Sequence, residues 1–301
     1  MKVAVTGGAG FIGSHLADAL VSEGHEVYAI DNLVTGRQEN VNEKAIFMKR
    51  DIRHDLSNEL EGMDAVFHLA ANPDVRTSAT DPSGCFDSNV SATFLFLESC
   101  RKADVKRIIF ASTSTVYGEA KLIPTPESHP CAPISNYGAS KLACEGFLSS
   151  YSATYGMKGT SMRFANIFGE RSTHGVMYDF YHKLMHNGKK MEIFGDGRQE
   201  KSYLHISDCV SGIIAAWKGQ GAQYDVYNAG SHDKVRVSEI ASMMGKMLAL
   251  TPEFAYTGTP HGWAGDSKLM LLDIAKLQAL GWKPAVKFED GLSRYVRWLS
   301  S

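Results

Sequence analysis

Apolar residues switch between two spacings along this chain. Val3, Ala4 and Val5 make a short continuous run, as in a strand buried on both faces, and Leu16, Ala17, Leu20 and Val21 then recur at helical spacing until Gly24. A second strand over 26–30 ends in Asp31. A third covers 45–48 and ends near Asp51 and Ile52, and a fourth, 64–71, carries His68 and Leu69 and runs out into Ala70 and Ala71. Residues 88–103 read as a helix with Val90, Phe94, Leu97 and Cys100 on one stripe. The fifth strand, 106–118, changes from apolar to hydroxyl-rich as it ends. After a proline-rich excursion (Pro124, Pro126, Pro130, Pro133) the spacing predicts a helix over 136–155.

The second half is less regular. It predicts a sixth strand over 160–168, a helix over 176–186, a short strand and Gly-Asp-Gly turn over 191–197, and strands at 203–206 and 224–229 flanking a helix at 207–217. Helices are expected at 237–248, 273–280 and 288–300. Strand–helix alternation over the first 170 or so residues argues for an α/β fold with a doubly wound, mostly parallel sheet. No repeat or linker separates the later elements, so a smaller C-terminal α/β lobe is expected to be interleaved with the first. The expected division is 1–166 with about 203–230 in one lobe, and about 167–202 with 231–301 in the other.

Between the first strand and helix stands Thr6-Gly-Gly-Ala-Gly-Phe-Ile-Gly13. Gly8, Gly10 and Gly13 match Gly-x-Gly-x-x-Gly, and Gly7, Gly10 and Gly13 match a looser Gly-x-x-Gly-x-x-Gly. Either register builds a dinucleotide turn of the Rossmann kind: backbone without Cβ approaches a pyrophosphate, and the helix N-terminus offers it N–H groups and a positive dipole end. Asp31 stands 18 residues beyond Gly13, close to the roughly 20 expected of the carboxylate that binds an adenosine ribose. A carboxylate there repels a 2′-phosphate, so NAD is favoured over NADP. Arg37 reads as a solvated loop charge, with a phosphate partner as the alternative.

Length and charge narrow the classes. With 301 residues, 31 basic against 33 acidic and a net charge of −2, the chain can bury a large core and shows no basic excess for nucleic acid. Cys85, Cys100, Cys131, Cys144 and Cys209 form no Cys-x-x-Cys pair and are odd in number, as expected of reduced thiols. No apolar run approaches the ~18 residues of a membrane span, and no leader precedes the first strand. A cytoplasmic protein without a metal site is expected.

Tyr137 and Lys141 lie one helical turn apart on one face. An ammonium beside a phenol stabilises the phenolate, as does the cationic nicotinamide of bound NAD⁺, so a lowered Tyr137 pKa and a role as proton acceptor from a substrate hydroxyl are expected. Lys141 also suits the nicotinamide ribose hydroxyls. In Ser112-Thr113-Ser114-Thr115, Thr113 is the expected partner of the reacting oxygen, with Ser112, Ser114 and Thr115 as competitors. Asp51 and Ile52 read either as an adenine site or as an ordinary strand end. Asn89 is placed to reach the cofactor, and His68 reads as a core histidine.

These pieces resemble the extended short-chain dehydrogenase/reductase family, and within it the UDP-glucose 4-epimerase-like nucleotide-sugar epimerases. The specific motifs are the glycine turn, Asp31-Asn-Leu33, His68-Leu-Ala-Ala71, Ser112-Thr-Ser-Thr-Val-Tyr-Gly118 and Tyr137-x-x-x-Lys141; Arg163-Phe-Ala-Asn166, Gly195-Asp-Gly-x-x-x-Lys-Ser-Tyr203, Gly265-Asp266 and Leu280-Gly-Trp-x-Pro284 are looser. The resemblance implies NAD held by Gly7, Gly10, Phe11, Ile12, Gly13, Asp31, Asn32, Asp51, Ile52, Leu69, Ala70, Ala71, Asn89, Tyr137 and Lys141. It implies catalysis by Tyr137, Lys141 and Thr113, and substrate contacts from Thr113, Tyr137, Asn166 and Lys201. Lys201 stands where the family usually has Arg, which exchanges a bidentate fork for a point charge. Trp263-Ala-Gly-Asp266 stands where Arg-Pro-Gly-Asp is usual, and Trp263 reads either as a base-stacking residue or as core.

A dehydratase of this family is expected to show Thr-Asp-Glu before Val-Tyr-Gly, whereas Thr113-Ser114-Thr115 has no carboxylate. The implied reaction is 4-epimerisation of a nucleotide sugar, UDP-glucose and UDP-galactose first, through a transient 4-keto intermediate. Rival readings are a nucleotide-sugar decarboxylase or 4-ketosugar reductase, and a non-catalytic dinucleotide-sensing protein. A homodimer through helices near 88–103 and 136–155 is also implied.

Overall fold

The structure is a computed structural model that describes residues 1–258 and 269–301. In chain order the first half runs β1 (Lys2–Thr6), α1 (Phe11–Ser22), β2 (Glu26–Asp31), β3 (Ile46–Lys49), β4 (Ala65–His68), α2 (Val75–Thr80), α3 (Pro82–Cys85), α4 (Ala92–Lys102), β5 (Arg107–Thr113), α5 (Asn136–Tyr155) and β6 (Lys158–Phe164). The second half runs β7 (Asn166–Phe168), α6 (Val176–His186), β8 (Lys190–Ile193), β9 (Glu200–His205), α7 (Ile206–Gly219), β10 (Tyr224–Ala229), β11 (Lys234–Arg236), α8 (Val237–Met247), β12 (Glu253–Tyr256), β13 (Leu269–Met270), α9 (Ala275–Gln278) and α10 (Phe288–Leu299).

Seven parallel strands make the central sheet in the order β10-β6-β5-β4-β1-β2-β3. Its continuous apolar strands are explained by cover on both faces. Val3 and Val5 enter a core with Leu16, Leu20, Phe67 and Trp217, while Ala4 and Val66 enter another with Phe96, Leu97, Phe110 and Leu148. Each fully buried Leu or Phe contributes roughly 2 kcal/mol. The strand order reverses between β1 and β4, and open sheets of this kind bind ligands at the carboxyl ends beside that reversal. Gly7 leaves β1 there, and Leu69 leaves β4.

A four-stranded sheet (β11-β9-β13, with β7 on β9) and the pair β12-β8 build the smaller lobe around Phe168, Phe180, Ile193, Ile240, Leu292 and Tyr295. The expected sixth strand breaks here. Ala165 donates its N–H to the Ala229 carbonyl at 2.8 Å, still in the large sheet, and Asn166 already pairs with Tyr203 in the small one. The strand expected at 203–206 is β9; it pairs in the small sheet, so the chain's return to the large one begins at α7. Leu272, Ile274, Leu277 and Trp282 pack back on the large core, against their expected place in the other lobe.

The fourth strand stops at His68, three residues early, because the N–H groups of Leu69 and Ala70 turn to Thr6 Oγ1, both at 3.2 Å. The helix expected from residue 88 is preceded by α3 and a π-helical turn, Phe86–Ser91. His68 is a core residue: Nδ1 meets Thr6 Oγ1 at 2.7 Å, Nε2 meets Thr93 Oγ1 at 3.0 Å, and burial followed by the Lys141 charge lowers its pKa to about 3. The unfolded chain takes up this proton below about 6.5 and the folded chain does not. Stability therefore falls as pH drops from about 6.5 toward about 3, by on the order of 4 kcal/mol at the low end. Urea unfolding against pH, with His68→Gln as the comparison lacking this slope, measures it.

Candidate active site

The glycine turn is a backbone cradle. Gly7 has φ +68°, and a Cβ on it would lie 2.9 Å from Ala70 N; one on Gly13 would lie 2.1 Å from the Gly7 carbonyl oxygen; one on Gly8 would lie 2.8 Å from Ala29 Cβ. Both glycine registers thus have a physical reason, with Gly8 fitting the neighbouring strand and Gly13 fitting the turn itself. No side chain caps α1 at Gly10, so the first helical turn, Phe11 and Ile12 among it, offers its N–H groups to an anion.

Asp31 closes this cradle from the end of β2. Its carboxylate accepts from Ala9 N–H at 3.0 Å and Leu33 N–H at 2.8 Å, which leaves a lone pair on each oxygen for a ribose hydroxyl. Arg37 ties its backbone N–H to the Ala9 carbonyl at 3.0 Å, while its exposed side chain reaches Glu39 at 3.8 Å, as a solvated charge does. Asp51 accepts from Arg53 at 3.0 and 2.6 Å and from Asn32 Nδ2 at 3.1 Å, and the guanidinium bond holds its carboxyl well below the usual range. Ile52 beside it is buried. Leu69, Ala70 and Ala71 follow β4 directly against the glycine turn. Taken together these groups fit a dinucleotide.

Asn89 sits in the π-helical turn with its amide committed to protein. Oδ1 accepts from Asn72 N–H at 2.8 Å, and Nδ2 donates to the Asn72 carbonyl at 3.1 Å and to Ser140 Oγ at 3.0 Å. Rather than presenting free polar atoms, it clasps the loop after β4 to the helix α5. Ser78 adds a second clasp, accepting from the Tyr137 N–H at 3.2 Å.

Ser135 caps α5 through Gly138 N–H at 3.1 Å and sets the helix against the end of β5. Lys141, 3 % exposed, donates from Nζ to the Ala111 carbonyl at 2.9 Å and lies 4.7 Å from the Phe110 ring centre. Thr113 lies beside the Tyr137 phenol, and its Oγ1 meets Thr115 Oγ1 at 3.1 Å. Ser112 turns away to the Glu145 carboxylate, and Ser114 is buried in a 3-10 turn.

Burial, then the nearby Cys85 thiol, pushes the Tyr137 phenol above its ordinary value in the chain alone, with Thr113 opposing. The Lys141 ammonium is directed at Ala111. Lys141 itself is lowered to about 8, by burial, with Cys144, Cys85 and Glu145 opposing. The unfolded chain holds that proton up to the ordinary 10.5, so stability rises with pH between about 8 and 10.5. NMR of the lysine amines should show one titrating near pH 8 that is absent from Lys141→Met.

Asn166 in β7 donates to the Ser202 carbonyl at 3.1 Å, and Lys201 lies on β9 between Val235 and Met270. The structure brings these two to adjoining strands. Trp263-Ala-Gly-Asp266 lies outside the described residues. Glu145, Ser78 and Asn72 were not singled out from sequence. Glu145 alone left a signal, as an acidic residue one turn beyond Lys141 on the buried face of α5.

Comparison with known proteins agrees with this geometry. The NAD dependent epimerase/dehydratase family matches residues 3–230. A putative UDP-glucose 4-epimerase of Methanocaldococcus jannaschii is 35 % identical, over 99 % of this chain and 98 % of that one. A crystal structure of a UDP-galactose 4-epimerase superposes with TM-score 0.92 at 43 % identity, covering 100 % of this chain and 99 % of the other. A UDP-glucose 4-epimerase of Thermus thermophilus in complex with NAD gives 0.91 at 32 % identity, with 100 % and 99 % covered. This chain belongs to the NAD-dependent epimerase/dehydratase family.

Proposed function

We propose that the protein inverts C4 of a UDP-hexose, UDP-glucose and UDP-galactose first, with NAD held in the glycine cradle. One arrangement carries this reading: Tyr137 beside Thr113 at the end of β5, Lys141 one helical turn on, and no carboxylate at positions 114 or 115 that could drive elimination of water. The glycine turn and Asp31 would hold NAD⁺, which when bound would supply a hydride acceptor and donor for the sugar carbon. Tyr137 accepts the proton of the C4 hydroxyl, while Thr113 holds that oxygen in line. A 4-keto sugar then turns in the crevice and is reduced on its other face, with Tyr137 returning the proton. Net redox is zero.

The smaller lobe supplies the nucleotide end, with Asn166 and Lys201 toward the diphosphate. Incubation with UDP-glucose, UDP-galactose and their N-acetyl and uronate counterparts, followed by NMR of the products, tests the reading. Inversion at C4 without cofactor consumption supports it. Stoichiometric use of NAD(P)H would instead indicate a 4-ketosugar reductase, and loss of CO₂ from the uronate a decarboxylase.

Two copies are proposed to pair through α4 and α5 in the cytoplasm. Phe94 and Leu95 are each 40 % exposed and Tyr155 is 52 % exposed, and Phe94 stands 5.4 Å from Phe147 across the two helices. Apolar exposure of this kind marks a contact surface. Sedimentation should give a dimer, and Phe94→Asp a monomer; a monomeric wild type refutes the pairing.

A further inference from the structure

Behind the reacting groups lies a buried polar chain that proton and hydride transfer do not use. Glu145 and Arg163, with side chains 4 % and 7 % exposed, meet at 2.6 Å (Nη2 to Oε2) and 3.0 Å (Nε to Oε1). Ser112 donates to the same carboxylate. Arg163 Nη1 donates to the Tyr117 hydroxyl at 2.9 Å and to the Glu127 carbonyl at 3.2 Å, and its guanidinium lies 4.8 Å from the Tyr117 ring centre. Tyr117 in turn donates to Asn228 Oδ1 at 2.8 Å, whose amide reaches the carbonyls of Thr125 at 2.9 Å and Asp273 at 3.0 Å.

The placement of this chain is more informative than its size. Tyr137, Lys141 and Glu145 are successive turns of one face of α5, and each meets the end of β5: Tyr137 at Thr113, Lys141 at Ala111 and Glu145 at Ser112. A bidentate carboxylate–guanidinium pair is rigid in rotation as well as distance. With Glu145 clamped to β6 through Arg163 and to β5 through Ser112, the helix can neither turn nor slide without breaking buried bonds.

We propose that Glu145 and Arg163 are positioning residues that set the depth of Lys141 and Tyr137 against the end of β5, a role that rests on the epimerase reading above. A misplacement of about 1 Å in such a group costs roughly a hundredfold in rate. Glu145 and Arg163 are themselves bonded to protein groups, and most groups expected to hold substrate and NAD lie on other elements, so the cost falls chiefly on kcat rather than on KM.

Two variants test this in the NAD-loaded protein with UDP-galactose. Glu145→Asp keeps the charge pair but shortens its reach by one methylene; Ser112→Ala removes one hydroxyl and leaves the pair whole. The expected result is kcat per folded site down by roughly tenfold or more in Glu145→Asp and by a few-fold in Ser112→Ala, with KM and NAD content within about threefold of wild type. Crystal structures of the variants should show Lys141 Nζ displaced from the Ala111 carbonyl. A folded Glu145→Asp with wild-type kcat overturns the proposal, as does a fall in kcat that KM follows. Should Glu145→Asp not fold, Ser112→Ala decides alone, unchanged kcat overturning it. A wild-type protein that turns over no UDP-hexose refutes the epimerase reading instead; an unmoved Lys141 Nζ in the variants then overturns this one.

Discussion

Tyr137→Phe is expected to lower kcat by roughly 10³- to 10⁴-fold and to leave NAD bound, because it removes one hydroxyl and nothing of the cradle. The variant keeps the ring and the backbone N–H bonded to Ser78 Oγ, so folding is preserved. What disappears is the hydroxyl beside Thr113 that can take a proton from the sugar hydroxyl and return it. Thr113→Val should cost less, about tenfold to a hundredfold, since it loosens the substrate oxygen without removing the base. Stopped assays of UDP-galactose conversion, beside cofactor content by acid release, measure both. Near-wild-type turnover in Tyr137→Phe would remove the phenol from the mechanism.

Gly13→Ala is expected to abolish NAD binding. Its Cβ would stand 2.1 Å from the Gly7 carbonyl oxygen and 2.7 Å from the Gly7 carbon, both backbone atoms that no side-chain rotation can clear. Relief requires α1 to lift from the turn, which moves the N–H groups away from the pyrophosphate and opens the core under Leu16 and Leu20. A fall in NAD affinity of about a hundredfold or more follows, with a drop in thermal midpoint of several degrees. Gly24→Ala, where nothing lies within 4 Å, makes the comparison: its φ of +83° brings backbone strain at the far end of the same helix, so it should cost stability but spare NAD. Calorimetry with and without NAD separates the two.

Sequence patterning placed the elements around the candidate site because those elements are local. The helices Asn136–Tyr155 and Val176–His186 and the strand Tyr224–Ala229 run over the residues their spacing predicts, and the turn between Val5 and Phe11 sits where the glycines require. What spacing could not show depends on partners distant in the chain. The break at Ala165 exists because Ala229 and Tyr203 pull adjacent residues into different sheets. The strand Leu269–Met270 has too few residues for any period and is held by Glu200 and Lys201. Asn89 reads as a cofactor ligand by position, and its bonds to Asn72 in the loop after β4 and to Ser140 on α5 emerge only in the folded chain. The Tyr137–Lys141 spacing placed both groups on one face but not the direction of the ammonium, which the Ala111 carbonyl decides.

The central claim is that hydride leaves C4 and returns to the same carbon while Tyr137 carries the proton. UDP-glucose bearing deuterium at C4, converted in ordinary water, tests this most directly. The account predicts UDP-galactose with deuterium still at C4 and no net reduction of cofactor. Product with hydrogen at C4, the label lost to solvent, would contradict it.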